Sequence, residues 1–313
     1  MKNERLTVGT SGVRLDRFLA MRFSGYSRSF CKDLVNTERV TVDGLKRPPD
    51  YRLTCGEVVR VRIGLPVWDE PDFDKWVIYE DRDLLALNKP AGILTHPVGE
   101  TWLNRSDAVL DAPEPTVAGL LWKCRPEIRR SNVERCGIVH RLDRRTSGVI
   151  LAAKRVPAQK NLLQAFRERR VAKVYRAVVL GHPERIDIDA PIGRAPGRRR
   201  VQVSQWGREA STRIKTIAFA RGMSVVQAEP RTGRTHQIRA HLAHLGYPVA
   251  GDGEWFCAPE LKRLAELGHE PPERMLLHSY RVRLWHPVTG ERASFTAPIP
   301  QDFRDYWEAV VGL

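Results

Sequence analysis

An acidic residue stands inside a run of cations in GIVHRLDRRTSG, residues 137–148. Asp143 follows Arg141 and precedes Arg144 and Arg145. Neighbouring cations keep a carboxylate ionised, and such a group acts as a nucleophile or as a base. The alternative interpretation is a salt-bridged acid that only neutralises Arg141 or Arg145. Both interpretations remain open on the residues alone.

A second group of polar residues lies in RTGRTHQIR, residues 231–239. Arg234 precedes Thr235, which we predict to be the N-cap of a helix that ends at Gly246. The guanidinium and the positive end of that helix favour an anion, either a carboxylate such as Asp143 or a phosphate. The alternative is a solvated basic helix end.

Two further features have a structural and a functional interpretation. Tyr175, in the strand-like KVYRAVVLG, either packs in the core or stacks on a base and offers its hydroxyl to a proton. The loop GRAPGRRRV, residues 193–201, is either solvated or a clamp for RNA phosphates. The basic balance of the chain favours the clamp.

No metal or nucleotide cofactor is indicated. His236, His241 and His244 match no strong metal-ligand spacing, and the chain has no GxGxxG or Walker sequence. A glycosidase needs a second carboxylate flanking the same bond. The DID at residues 187–189 lacks a phosphate cradle, so we interpret it as surface rather than as an aspartyl phosphatase motif.

The overall composition indicates a globular protein that binds polyanions. The chain has 313 residues, 42% of them hydrophobic, and a formal charge of +15 from 52 Lys+Arg and 37 Asp+Glu. That charge attracts nucleic acid at long range. The five scattered cysteines include no CxxC pair, the opening MKNERLTVG has no apolar signal region, and no run is long enough to span a bilayer. We therefore expect a cytoplasmic protein with no membrane contact.

The elements that must position these residues fall into two predicted domains. Residues 14–23 and 27–36 have helical patterns, with Ser27 as N-cap, and lead into two short strands with a turn at Asp43 and Gly44. The stretch GLPVWDEPDFDKW interrupts the basic trend as a linker does. We predict a domain at residues 1–66, a linker at 67–75 and a second domain at 76–313.

The second domain alternates short strands with few helices. Helices are predicted at residues 157–170 and 235–246. So many strands with so few helical crossovers predict an α/β (α+β) fold with a mixed, largely antiparallel central sheet flanked by helices. The predicted strands are WVIYE, DLLALNKP, VILAAK, KVYRAVVLG, TRIKTIAFA, SVVQAEP, YRVRLWHP and ASFTAPIP.

Six stretches in order resemble the RluA-type RNA pseudouridine synthases, over roughly residues 75–300. The N-terminal part resembles the α-L RNA-binding domain that often precedes this catalytic domain, although residues 37–40 lack the glycine usual before its strand. Residues 99–133 fit no motif and are expected to be a family-specific insertion. The matching stretches are LNKPAGILTHP (87–97), HRLDRRTSG (140–148), KVYRAVVLG (173–181), RTGRTHQIRAHL (231–242), GYPVAGD (246–252) and LLHSYRVRLWHPVTGE (276–291).

The resemblance implies isomerisation of uridine within RNA without cofactor or metal. The bond from ribose to nitrogen 1 breaks, the uracil turns, and a bond to carbon 5 forms. Asp143 matches the catalytic aspartate, which attacks the sugar or the base or takes a sugar proton. Arg141 matches the residue that fills the space of the flipped nucleotide. Tyr175 matches the tyrosine that stacks on uracil, Arg234 the basic residue that pairs with the aspartate, and Ile238 a residue packing on the base.

The resemblance and the charge together imply an RNA partner, and the protein is expected to be a monomer. Large-subunit ribosomal RNA is the expected substrate, with transfer RNA or a non-catalytic role in RNA binding or ribosome assembly as the alternatives. Trp255 and Ser279 depart from the family pattern and are expected to affect packing or RNA fit. The residues expected to contact RNA are Arg14, Arg28, Lys46, Arg47, Arg144, Arg145, Arg198, Arg199 and Arg200.

Overall fold

A computed structural model describes most of the chain, and Ser27, Arg198 and Arg199 lie outside the described residues, as does much of the predicted linker. The described residues fall into two compact units, Met1–Phe73 with His96–Arg125, and Asp74–Thr95 with Pro126–Leu313. The predicted division at residues 66 and 76 stays a prediction. The described ranges are 2–23, 28–36, 39–63, 72–97, 101–104, 106–112, 114–194 and 200–312.

In the first unit, two N-terminal helices lie beside a small antiparallel sheet of order β1-β3-β2 in the described part of the chain, and two further helices come from later in the sequence. Both predicted helices and the turn at Asp43 and Gly44, where φ is 49° and 81°, are confirmed. Leu15, Leu19 and Val59 are fully buried between helices and sheet. The elements are β1 (Lys2–Thr7), α1 (Leu15–Arg22), α2 (Arg28–Asn36), β2 (Val40–Val42), β3 (Val58–Ile63), α3 (Thr101–Asn104) and α4 (Val117–Cys124).

The second unit is built on a large mixed sheet. All eight predicted strands are present, and the short strands β8 to β10 were not predicted. The strands are β4 (Val77–Glu80), β5 (Leu84–Lys89), β6 (Ser147–Ala153), β7 (Ala172–Leu180), β8 (Ile186–Asp189), β9 (Ile192–Arg194), β10 (Val201–Val203), β11 (Ser211–Ala220), β12 (Met223–Pro230), β13 (Leu277–Trp285) and β14 (Arg292–Thr296).

The strand order of the large sheet in the described residues is β4-β5-β6-β13-β7-β12-β11-β8, with β14 paired to β13, and β9 and β10 form a separate hairpin. Within that part of the chain β6 and β13 pair in parallel and the other strands pair antiparallel. Gly148 permits the close approach of β6 and β13, because its φ is 107° and a Cβ would lie 2.2 Å from the Ser279 oxygen. The predicted fold class is confirmed.

Helices pack on this sheet over apolar clusters. Helix α6 buries Leu162 against β6, and α7 buries Leu242 against β7 and β12. Gly246 ends α7 with a φ of 82°, as predicted. The start of α7 was predicted wrongly, because His236 occupies the N-cap position instead of Thr235. The helices are α5 (Pro126–Arg130), α6 (Val156–Arg167), α7 (Gln237–His244), α8 (Ala258–Glu266) and α9 (Gln301–Val311).

None of the helices in the described residues has the length and apolar character of a membrane span. The five cysteines, all within the described ranges, are free thiols. Burial raises the pKa values of Cys31 and Cys136 to about 12, so these two thiols remain protonated.

Candidate active site

The loop that carries Asp143 is fixed on both sides of the aspartate. On one side, the Thr95 hydroxyl accepts the Leu142 N–H at 3.1 Å and donates to the Leu142 carbonyl at 2.9 Å. On the other, the Gly92 N–H donates to the Arg144 carbonyl at 2.8 Å, and Arg144 Nε donates to the Gly92 carbonyl at 2.9 Å. The segment after β5 therefore holds the backbone of Asp143 in place before β6 begins.

Lys89, at the end of β5, is fully buried below this loop. Its Nζ donates to the carbonyls of Pro90 and Ile93 at 2.8 Å and of Arg144 at 3.2 Å. Burial lowers the pKa of Lys89 to about 7, and the negative charge of Asp143 opposes that shift. The Lys89 side chain thus links the segment after β5 to the loop that carries Asp143.

The cation that pairs with Asp143 within the described residues is Arg239, and the prediction of Arg234 is wrong. Arg239 Nη1 donates to Asp143 Oδ2 at 2.9 Å. Arg234 Nε donates instead to the Glu209 carbonyl at 3.0 Å. Arg239 lies in the first turn of α7 and its side chain is 8% exposed, so the ion pair is largely shielded from water.

The late start of α7 explains this difference. The Gln237 side chain folds back, and its oxygen accepts the Arg234 N–H at 2.9 Å and the Thr232 hydroxyl at 2.6 Å. His236 then turns through a left-handed conformation with φ 55°. The N-cap therefore lies one residue later than predicted, and Arg239 in the first turn of α7 faces Asp143 while Arg234 precedes the helix.

Other groups hold the Arg239 guanidinium on its remaining sides. Asp252 accepts Nε at 2.6 Å and Nη2 at 2.8 Å, and Glu254 accepts Nη2 at 3.1 Å. Trp255 covers the guanidinium with its ring, 4.7 Å from centroid to Cζ. Burial alone would lower the pKa of Arg239, but these acids and Asp143 raise it above its ordinary value. The cation is therefore permanent and rigidly aimed at Asp143.

His236 bridges two of these acids. Its Nε2 lies 3.8 Å from Asp143 Oδ1, and its Nδ1 lies 3.6 Å from Glu254 Oε2. Burial would raise the pKa of Glu254, but the neighbouring His236 ring and the charge of Arg239 lower it to about 2. Glu254 stays ionised across the physiological range.

Asp143 opens into a cavity of about 580 Å³. Tyr175, Ile238 and Arg141 line it together with Asp143, so the structure brings these predicted residues together. Arg234 also lines it, although it does not pair with the aspartate. The other lining residues include Leu142, Thr146, Phe166, Arg167, Arg169, Lys173, Arg231, His236, Arg239 and Leu277.

Tyr175 and Lys173 project from the same face of β7 into this cavity, since they are two residues apart on a strand. Burial raises the pKa of Tyr175 to about 12. A hydrogen bond with Ser279 opposes this shift, and the negative charge of Asp143 adds to it. Burial, with the charge of Arg169, lowers the pKa of Lys173 to about 8. The phenol is therefore neutral at physiological pH. The pKa of Lys173, by contrast, lies close to physiological pH, so a fraction of its amine is uncharged.

His140 has a structural role behind the loop. Its Nε2 accepts the Leu151 N–H at 2.8 Å, and its ring stacks on Phe166 with centroids 4.6 Å apart. Burial, aided by the charge of Lys173, lowers the pKa of His140 to about 3. The ring is neutral and ties the loop to β6.

The cations expected to contact RNA differ in their surroundings. Arg14 and Arg28 both bind the buried Asp16, at 3.1 and 2.9 Å, with side chains 40% and 49% exposed. Lys46 is exposed, and Arg47 stacks over a tyrosine ring. These side chains lie in the first unit.

In the second unit, Arg144 is tied to the loop next to the catalytic candidate, whereas Arg145 is exposed and its Nη1 lies 3.8 Å from where a Cβ of Gly253 would be. Arg200 donates to the Glu254 carbonyl at 2.6 Å and lies 5.4 Å over the Trp255 ring. Trp255, which was expected to affect packing or RNA fit, packs its ring against Arg239, the partner of Asp143.

Sequence reasoning did not find Arg239, Asp252 and Glu254 as parts of the site. One signal was present, because Arg239 is three residues before Leu242 and so shares the buried face of α7. No group of three or more His, Cys, Asp and Glu side chains in the described residues is arranged to hold a metal ion. The acids of the site are instead neutralised by arginine.

Residues 83–244 match the family model described as RNA pseudouridylate synthase. Over 310 residues, 96% of this chain and 91% of the relative, the chain is 34% identical to "Ribosomal large subunit pseudouridine synthase D" of Vibrio vulnificus (strain CMCP6). Over 311 residues and the same coverage, it is 35% identical to the protein of that name in Salmonella typhimurium.

Two solved human structures share the fold. "RNA Pseudouridylate Synthase Domain Containing 4" aligns with a TM-score of 0.56 and 21% identity over 76% of this chain and 94% of that chain. "RNA Pseudouridylate Synthase Domain Containing 1" aligns with a TM-score of 0.52 and 26% identity over 71% and 82%.

Proposed function

The chain belongs to the RNA pseudouridylate synthase family and isomerises uridine in RNA, and we propose that its substrate is large-subunit ribosomal RNA and its catalytic residue Asp143. One observation carries the assignment of the residue. Asp143 opens into the cavity while its carboxylate is oriented by Arg239 at 2.9 Å. The printed names of the relatives, which match over 96% of this chain, support the ribosomal substrate.

The reaction moves one bond and one proton. The bond from ribose carbon 1 to nitrogen 1 breaks, the bond to carbon 5 forms, and the proton lost from carbon 5 is balanced by one gained at nitrogen 1. Arg239 engages Oδ2 of Asp143, which leaves Oδ1 on the side of His236. The carboxylate is thus held at a fixed angle to whatever enters the cavity, as positioning of a reacting group requires.

Tyr175 and Ile238 are proposed to enclose the uracil. The pKa of Tyr175, raised to about 12, favours stacking and hydrogen bonding by a neutral phenol over a resting phenolate base. Ile238 is 6% exposed and borders the cavity from α7. Arg141 is exposed at the rim, where it can occupy the space left by a flipped nucleotide.

The remaining cations are proposed to bind phosphates. Arg145 is exposed beside the site, and Arg200 lies over Trp255, so both lie where an RNA backbone approaches Asp143. In the N-terminal domain proposed at residues 1–66, Lys46 is exposed, while Arg14 and Arg28 retain exposed faces beside Asp16. We also propose that the protein acts in the cytoplasm as a monomer; its free thiols are consistent with a reducing compartment.

Substitution of Asp143 tests the proposal. We expect Asp143→Asn and Asp143→Ala to abolish tritium release from RNA labelled at carbon 5 of uridine, while RNA binding persists. Asp305→Asn is a matched control, because Asp305 is an exposed aspartate on α9 that does not line the cavity. Turnover near that of the wild type in the Asp143 variants would overturn the assignment.

A map of pseudouridine in total RNA, with and without the gene, tests the substrate. We expect the loss of specific sites in large-subunit ribosomal RNA. Loss confined to transfer RNA would contradict the ribosomal proposal and leave the reaction intact.

A further inference from the structure

Trp206 is the most exposed aromatic side chain in the described residues, with 65% of its surface accessible. Other exposed aromatic rings have a covering neighbour. His182 stacks on Phe219 at 4.3 Å, and Arg292 lies 5.0 Å over Trp285. Within the described part of the chain, no ring or guanidinium covers Trp206.

The turn that presents Trp206 is held firmly. The Gly207 N–H donates to the Ser204 carbonyl at 2.8 Å, and the Ser204 N–H donates to the Pro191 carbonyl at 2.9 Å. Gly207 packs so closely on β9 that a Cβ there would lie 2.4 Å from the Ile192 carbonyl carbon. The indole is therefore displayed by a rigid platform, and little conformational entropy is lost when a ligand stacks on it.

This platform adjoins the cavity. Glu209, three residues after Trp206, accepts Arg234 Nε through its carbonyl, and Arg234 lines the cavity of Asp143. Three residues of chain span at most about 11 Å. The separation corresponds to a few nucleotides of a strand leaving the cavity, since a stacked strand advances about 3.4 Å per nucleotide.

The charges around the turn that carries Trp206 indicate what kind of ligand it binds. Arg208 and Arg194 are exposed on the paired segments, and the one exposed acid of the turn region is Glu209. A single flat aromatic face among arginines suits a nucleobase with its phosphates, because stacking and backbone contacts then act together. An apolar peptide would need a wider apolar patch than one indole.

We propose that Trp206 stacks on an unpaired base of the substrate RNA, a few nucleotides from the target uridine. This inference rests on the proposed function. The stacked base anchors the strand outside the cavity while the uridine occupies it. The energetic contribution falls on RNA binding, because Trp206 does not touch the reacting uridine.

Trp206→Ala tests the inference on the shortest RNA transcript that the wild-type enzyme modifies. We expect KM and Kd to rise about tenfold, as loss of one base–aromatic stack predicts. Trp206→Phe should keep most of the affinity, since a smaller ring still stacks. Trp285→Ala is the matched control, a 52% exposed tryptophan at the end of β13, and should leave both constants unchanged.

A set of transcripts with one abasic nucleotide each identifies the stacked position. At that position the abasic RNA should weaken wild-type binding about tenfold and should weaken Trp206→Ala no further, which is the signature of a direct contact. Equal Kd values for wild type and Trp206→Ala, or a tryptophan effect that persists with every abasic RNA, would overturn the stacking. A Trp206-dependent Kd together with unchanged turnover of this transcript by Asp143→Ala would contradict the proposed catalytic role of Asp143 and leave the stacking intact.

Discussion

Replacing Arg239 by lysine keeps the positive charge beside Asp143 and removes the planar fork of the guanidinium. Arg239 donates to Asp143, Asp252 and Glu254 from different nitrogens, and a single ammonium group cannot reproduce these directions. The lysine is expected to remain with Asp252, which is 1% exposed and would otherwise keep an uncompensated buried charge. Asp143 would then lose its oriented partner.

The size of the effect follows from that one contact. A hydrogen bond to a charged group contributes about 1.5–3 kcal/mol. If the bond acts fully on orientation in the transition state, its loss lowers kcat about 10-fold to 150-fold. The residual charge of lysine still limits the loss of folding stability, which would be larger for a neutral replacement of this buried cation.

Tritium release from RNA labelled at carbon 5 of uridine measures kcat, and thermal unfolding measures the folded fraction. Arg234→Lys is the matched control, because Arg234 Nε reaches only the Glu209 carbonyl in the described contacts. We expect its kcat to stay within about threefold of the wild type. Equal losses in the two variants, or the larger loss in Arg234→Lys, would refute the assignment of Arg239 as the residue that orients Asp143.

Two further predictions concern buried and exposed lysines. Since the pKa of Lys89 is lowered to about 7, above that pH the unfolded chain binds more protons there than the folded protein, and the free energy of unfolding rises with pH towards 10. Lys89→Met should remove this rise, measured by urea titration at pH 7 and pH 9, and an equally steep rise in both proteins would contradict the shift. Lys46→Ala should weaken RNA binding and reduce the slope of log Kd against log salt by about 1, as the loss of one phosphate contact requires; an unchanged slope would place Lys46 outside the RNA interface.

Local pattern predicted the elements of the fold well. Strands such as β5 and β12 have apolar residues of high strand propensity, and α6 has a proline in its first turn. Strand β1 was not predicted, because KNERLT is mostly polar and its pairing with β3 comes from tertiary structure. The position of β13 between β6 and β7 also depends on distant contacts that no local period reveals.

The site was predicted in its residue types and only partly in its contacts. Asp143, Tyr175 and Ile238 do share one cavity. The partner of Asp143 was misassigned because the Gln237 side chain delays the start of α7, a competition between side chain and backbone that the N-cap pattern of Thr235 does not disclose. The contact of Glu254 with Arg239 could not be predicted, because it depends on where the chain after α7 folds back onto the site.

The central position of β13 bears on how the enzyme is made. Strands β4 to β6 lie on one side of β13, with Asp143 on the loop before β6, and strands β7, β12 and β11 lie on the other, with Tyr175 on β7. At about 5–20 residues per second, a ribosome takes roughly 7 to 25 seconds to advance from Ala153 to Trp285. The half-sheet of β7, β12 and β11 is complete only after Pro230, and until β13 follows, both half-sheets have an unpaired edge that only this late strand can join. The aspartate and the tyrosine therefore meet near the end of synthesis, after a long-range closure of the kind that slows folding.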